Sequence, residues 1–192
     1  IASVVNSTTH LGSDLATTNG TTVTIAPATR WDASNSTTPA GVVKVINGEM
    51  FNSAGELIGT IDDANLVSIY SGAGSGVGMF MYNTSLSTYV GNLGKLEDGR
   101  FMFNGCTSLT TFVGDLGSLT HGGYMFADCQ LSEESLMYIV DSLPENPNKG
   151  VQTTPYEAGE DEIPYCITIG VAAGVDKAPY VAEAAAKGWT LV

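Results

Sequence analysis

The chain has 192 residues, 43% of them apolar and 14% charged, with 20 acidic against 7 basic side chains and a net charge of −13. That apolar share can fill a core and argues against disorder, and no apolar run reaches the roughly 20 residues that cross a bilayer. The cations Arg30, Lys44, Lys95, Arg100, Lys149, Lys177 and Lys187 are scattered, which excludes nucleic acid and anionic membranes as natural partners, since phosphate contacts need clustered Lys and Arg.

Ile1 rather than Met opens the chain, which reads as a processed product or an excised domain. Residues 1–62 are expected to form a β-rich, irregular N-terminal region or cap. Thr22-Val23-Thr24-Ile25 alternates until Pro27, and Gly41 to Ile46 predicts a second strand, ended by the turn signal Asn47-Gly48. Glu56 to Ile61 predicts a third strand, with Asn47 to Gly55 as a hairpin loop between the two. The glycine-rich stretch Gly72 to Gly78 lacks both the dinucleotide fingerprint and the Lys-Ser/Thr of a phosphate loop. It is expected to be a turn.

A repeat dominates the middle of the chain. Met79-Phe80 recurs 23 residues later as Met102-Phe103 and again as Met125-Phe126. Leu86-x-x-Tyr89-Val90-Gly91 recurs as Leu109-x-x-Phe112-Val113-Gly114, and Leu93 and Leu96 as Leu116 and Leu119. Leu66 to Tyr70 carries a degenerate copy. Apolar positions held at a fixed period while polar ones drift predict a solenoid of stacked coils over residues 63–131.

Residues 132–192 predict a helical and β C-terminal cap. Ser132 is suited to cap a helix with Glu133 and Glu134 in its first turn, Leu136, Ile139, Val140 and Leu143 on one face, and Pro144 beyond its end. A polar loop over residues 144–163 leads to a strand from Tyr165 to Gly170. A helix from Ala178 to Lys187, stopped by Gly188, and a last strand from Trp189 to Val192 complete the chain.

Catalytic chemistry finds little support. No Ser lies in a G-x-S-x-G, and no H-E-x-x-H or paired-Cys metal motif occurs. His10 and His121 sit in polar turn contexts, with His121-Gly122-Gly123 expected to be a loop between coils. Cys106 and Cys129 occupy one repeat position, where the preceding copy has Asn83. They are expected to be stacked, buried thiols, because side chains in register between parallel strands lie alongside rather than toward each other. Glu157, Glu160, Asp161 and Glu162 offer carboxylates to a hard cation such as Ca2+ but match no EF-hand spacing, and Asp62-Asp63 offers fewer. Tyr82, Tyr89, Phe112 and Tyr124 suggest a recognition stripe, although repeat positions are more often core. No metal or other cofactor is expected, and no enzymatic activity.

Met102-Phe103-Asn104-Gly105-Cys106-Thr107-Ser108-Leu109-Thr110-Thr111-Phe112, its partners around Met79 and Met125, and the closing Ala184 to Thr190 resemble the BspA-like leucine-rich repeat proteins. The resemblance covers residues 64–192 and implies an α+β, mainly β fold: a short leucine-rich-repeat solenoid of about 23-residue coils. It also implies Leu86, Tyr89, Leu109 and Phe112 in the core, an interior ladder of Asn83, Cys106 and Cys129, and Thr88 and Thr111 facing outward as candidate binding residues. Gly91 and Gly114 depart from the family pattern, which expects larger apolar residues there.

That family implies a non-catalytic binding or adhesion module, extracellular, on a bacterial surface or a phage particle. Its partner would be a host protein or a glycan. The alternative is a structural virion component, a decoration or fibre domain whose repeats serve as a rigid scaffold against neighbouring subunits.

Overall fold

A computed structural model describes residues 41–61, 78–148 and 164–192, together with the backbone of three short N-terminal strands. The expectations for Asp62-Asp63, the Leu66–Tyr70 copy, most of the glycine-rich turn, the acidic run at 157–162 and His10 lie outside the described residues.

The first strands are β1 (Leu15–Thr18) and β2 (Thr21–Thr24), an antiparallel pair, and β3 (Thr29–Arg30). Next come β4 (Lys44–Ile46), β5 (Glu49–Phe51) and β6 (Leu57–Thr60), joined as antiparallel neighbours. Asn47 and Gly48 have φ of 49° and 80°, the left-handed pair that a two-residue hairpin turn requires. The turn is therefore Asn47-Gly48 itself. Glu49–Phe51 is a strand and not part of a loop, which corrects the longer loop expected from Asn47 to Gly55. The second turn is tied by Asn52, whose Oδ1 accepts from the amides of Ala54 and Glu56 at 3.0 Å each.

The repeat then supplies β7 (Thr88–Asn92) and β8 (Thr111–Asp115), which pair in parallel with Thr88 opposite Thr111 and Tyr89 opposite Phe112. The strand β4 pairs in parallel with β7 on the other side. Five strands thus run in the order β6-β5-β4-β7-β8, with the two-residue β3 alongside β6. Farther along come β9 (Gly122–Leu131), α1 (Glu133–Ser142), β10 (Cys166–Val171), α2 (Ala178–Ala186) and β11 (Thr190–Leu191). A second, parallel sheet has the order β11-β10-β9.

This architecture corrects the expected solenoid. Besides the β1–β2 pair, the described residues form an α+β arrangement of one mixed sheet, one three-stranded parallel sheet and two helices, and neither of these two sheets closes. The physical reason lies in what a repeat encodes. A fixed period specifies which segments lie side by side; it does not specify what is added to the ends, and here the antiparallel β4–β6 unit continues the sheet of the repeat strands. His121-Gly122-Gly123 is corrected as well: both glycines are buried at the start of β9. A Cβ on Gly122 would stand 3.0 Å from the Ile167 side chain of the neighbouring strand.

The repeat does set the packing. Phe80, Phe103 and Phe126 stack face to face with centroids 5.4 and 5.3 Å apart, and Tyr89 stacks on Phe112 at 5.6 Å. The two columns meet edge to face, with Tyr89–Phe103 at 5.1 Å and Phe112–Phe126 at 4.8 Å. All five rings are fully buried. Backbone amides reinforce the register: Phe80 N–H donates to Met102 O at 2.8 Å, and Phe103 N–H to Met125 O at 2.9 Å. The same packing explains Gly114, because a Cβ there would lie 2.8 Å from Cζ of Phe112.

One continuous buried cluster runs from Val42 to Trp189. The helix α1 starts at Ser132, whose Oγ accepts from Ser135 N–H at 3.2 Å, and its buried residues include Leu136, Ile139 and Val140. Its first turn seals the outer edge of β8: Phe112 N–H donates to Ser135 Oγ at 2.9 Å, and Ser132 N–H to Thr110 O at 2.9 Å. Covering a strand edge in this way prevents further strand addition. At the far end of α1, Lys187 Nζ donates to the carbonyls of Val140, Asp141 and Leu143 at 2.9, 2.6 and 3.2 Å, where a helix leaves carbonyls unpaired and favours a cation.

Phe103 touches Phe80, Tyr89, Phe112 and Phe126 at once. Phe103→Ala is expected to cost about 4 kcal/mol in urea unfolding, since it opens a cavity and removes aromatic pairs. A loss below about 1 kcal/mol would mean that the columns do not carry the fold.

Candidate functional site

Alternation along the strands decides which side chains meet solvent. Tyr89 and Phe112 are fully buried, so their neighbours Thr88, Val90, Thr111 and Val113 lie on the opposite face, each half-buried. Strand register then arranges rows across the sheet. Lys44, Thr88 and Thr111 form one row, and Ile46, Val90 and Val113 the next. Asn92 and Asp115 stand opposite each other at the strand ends. Strand spacing in a sheet is about 4.8 Å, so these rows repeat on that interval.

The structure thus places both candidate residues, Thr88 and Thr111, side by side as strand partners on the outer face of the mixed sheet. Thr88 Oγ1 is 3.4 Å from Ser87 Oγ, and the latter also donates to Val43 O at 3.0 Å. The residues that sequence reasoning missed on this face are Lys44, Ile46, Val90 and Val113. For Val90 and Val113 the signal was present in their alternation with the buried Tyr89 and Phe112; for Lys44 and Ile46 there was none, because the sequence does not display the pairing of β4 with β7. At the end of the face, Asn92 and Asp115 accept from the amides of Gly94 and Gly117 at 2.9 and 2.8 Å. These repeated turns hold the strand ends in register.

The aromatic stripe divides. Tyr89 and Phe112 belong to the core, whereas Tyr82 is 67% exposed and Tyr124 half-buried. Phe101, which lies one repeat before Tyr124, stacks on it at 5.2 Å. Tyr82, Phe101 and Tyr124 have φ of 61°, 61° and 55°, a left-handed conformation that costs a bulky residue on the order of 1–3 kcal/mol. Beside this pair, Arg100 forks onto Asp98 at 2.9 and 2.7 Å. His121 pairs with Asp98 across a parallel bridge, and its Nδ1 lies 2.9 Å from Thr120 Oγ1. Burial lowers the His121 pKa, with Asp98 opposing and Arg100 adding to the shift.

The cysteines are free and buried. Cys106 Sγ–H donates to Phe80 O at 3.0 Å and Cys129 Sγ–H to Phe103 O at 3.3 Å, one repeat apart. Asn83, at the same position one repeat earlier, donates through Nδ2 to Val42 O at 3.1 Å and accepts from Leu86 N–H at 3.1 Å. Burial pushes the Cys106 thiol up to about 12 and raises that of Cys129 as well. Such thiols are poor nucleophiles and poor metal ligands in the native state. Among the described residues, no three His, Cys, Asp or Glu side chains gather in a way that could hold a metal ion. No helix among them is long and apolar enough to cross a membrane.

The face around Thr88 and Thr111 can offer hydroxyl groups and half-buried methyl groups on a rigid plane. That chemistry suits contact with a ligand of mixed polar and apolar character. No protein-family model, curated protein or solved structure matches this chain.

Both raised thiols favour the protonated form in the folded state, so the stability they contribute is complete below the ordinary thiol value of 9.0. It is lost as pH climbs through the folded values. Urea midpoints are expected to fall from pH 9 upward, and the double variant Cys106→Ala with Cys129→Ala is expected to fall less steeply. Equal slopes in the two proteins would contradict the burial of the thiols.

Proposed function

We propose that the protein is a non-catalytic binding module acting in adhesion or receptor contact, displayed on a bacterial surface or a phage particle. Its contact surface is the outer face of the mixed sheet, at the β7–β8 end where Thr88 and Thr111 stand side by side. The observation that carries this reading is the registered row of Lys44, Thr88 and Thr111 beside the row of Ile46, Val90 and Val113. A rigid, repeating mixture of hydroxyl and branched apolar groups supports recognition of a glycan or a protein surface, because little side-chain entropy is lost when it is covered. The scarcity of clustered cations supports a partner other than nucleic acid.

A second reading is a structural component of a particle. The interlocked aromatic columns favour it, since a slab so stiffly packed can act as a spacer between neighbouring subunits.

The test screens the purified protein on a glycan array and against bacterial surface extracts, with Thr88→Arg and Thr111→Arg together as the control variant. Circular dichroism and a urea midpoint check that the variant is folded, since two Arg side by side next to Lys44 place like charges in one row. Binding is expected in the parent protein and a loss of at least about tenfold in the variant, equivalent to 1.4 kcal/mol. Undiminished binding by the variant would contradict the assignment of this face. A fixed-copy assembly in native mass spectrometry, with no ligand retained, would favour the structural role.

A further inference from the structure

An Asn or Asp followed by glycine carries a chemistry of its own. The glycine nitrogen can attack Cγ of the preceding side chain and close a five-membered succinimide, because no Cβ on the glycine stands in the way. Three such pairs lie among the described residues: Asn47-Gly48, Asp98-Gly99 and Asn104-Gly105. The fold holds two of them shut. Gly99 N–H donates to His121 O and Gly105 N–H to Ala127 O, each at 2.9 Å. Their side chains are held too: Arg100 forks onto the Asp98 carboxylate at 2.9 and 2.7 Å, and Asn104 is only 8% exposed.

Asn47-Gly48, the turn between β4 and β5, differs on both counts. Among the described residues, no hydrogen bond engages the Gly48 N–H or the Asn47 carboxamide, and Asn47 is exposed. Gly48 itself is buried, but the attack comes from within the dipeptide, and ammonia and water exchange at the exposed Asn47 side chain.

We propose that Asn47 is a site of spontaneous deamidation and isomerisation in the folded protein. The Gly48 nitrogen loses its proton and bonds to Asn47 Cγ, the Cγ–Nδ2 bond breaks, and ammonia leaves. Water then opens the succinimide at either carbonyl, giving aspartate or isoaspartate; the net change is one water in and one ammonia out, with no oxidation or reduction. The two products differ in consequence. Aspartate keeps the main chain, and Asp-Gly suits this turn as Asn-Gly does. Isoaspartate adds a methylene to the main chain of a two-residue turn fixed on both sides, by Asn47 N–H to Val90 O at 2.6 Å and Ile61 N–H to Gly48 O at 2.7 Å. It therefore loosens the β4–β5 hairpin. The site does not depend on any role of the sheet face.

Tryptic peptides separate the candidates: residues 45–95 carry Asn47, 96–100 carry Asp98, and 101–149 carry Asn104. The folded full chain is incubated at mildly alkaline pH, where the attacking amide deprotonates more readily, and digested at intervals, with the zero-time digest subtracted. Peptide 45–95 is expected to gain the acid form at least about tenfold faster than 101–149, because reaction at Asn104 waits on local opening. Electron-transfer fragmentation is expected to place isoaspartate at residue 47, and the aged protein to unfold at a lower urea midpoint. In urea, peptides 45–95 and 101–149 should react at comparable rates. Asn47→Gly, which keeps a pair suited to this turn, should abolish the gain although Asn52, Asn65, Asn83 and Asn92 remain in the peptide. No gain in 45–95 of the folded chain, an equal gain in 101–149, or a gain that survives Asn47→Gly would overturn the proposal. A rate difference that persists in urea would overturn it too, since the fold would not be its cause.

Discussion

Edge-to-face contact between two columns of stacked rings is the interaction on which the rest of the structure depends. Stacking along a column needs a fixed spacing between successive segments, and that spacing exists only if the backbones pair in one register. The Phe80, Phe103 and Phe126 column and the Tyr89 and Phe112 column therefore set β7 against β8 and the 99–105 segment against β9. A shift of one residue would carry Phe112 to the outer face and Thr111 to the core. The ring column and the Thr row are two sides of one constraint.

The ends of this packed middle are finished by different devices. On the β8 side, the first turn of α1 supplies Ser132 and Ser135 to edge groups that another strand would otherwise take. Beyond β9, the sheet continues through β10 and β11, and Trp189 Nε1–H donates to Pro144 O at 2.8 Å. Asn146 adds a bond from its side chain to Gly188 O at 3.0 Å. Lys187 is central here, because one ammonium closes α1 while its backbone carbonyl accepts from Asn146 N–H at 2.8 Å. These contacts bring α2 against α1.

How much of this was legible depends on the kind of information each element carries. The helix over 133–142 could be read from Ser132 and the apolar face of Leu136, Ile139 and Val140, since capping and periodicity are local. The partners Tyr89 with Phe112 and Phe80 with Phe103 could be read from the period. The overall architecture could not, because periodicity does not say that β4 joins β7 in parallel while it pairs with β5 in antiparallel. Expecting a solenoid extended the repeat beyond what it encodes. On the candidate face, Thr88 and Thr111 entered through the family resemblance, and Lys44 and Ile46 could not be read at all, as their neighbours come from the same long-range pairing. Phe101 and Tyr124 turn outward only through a left-handed backbone, which no propensity for bulky aromatic residues announces.

The central claim is that the two columns act as one cooperative unit rather than as independent apolar side chains. A double-mutant cycle on Phe112 and Phe126, each changed to Leu, singly and together, isolates their mutual contact from burial. Their centroids lie 4.8 Å apart at an interplanar angle of 75°, and the account predicts a coupling of about 1 kcal/mol in urea unfolding. Additive losses, with coupling below about 0.3 kcal/mol, would contradict it.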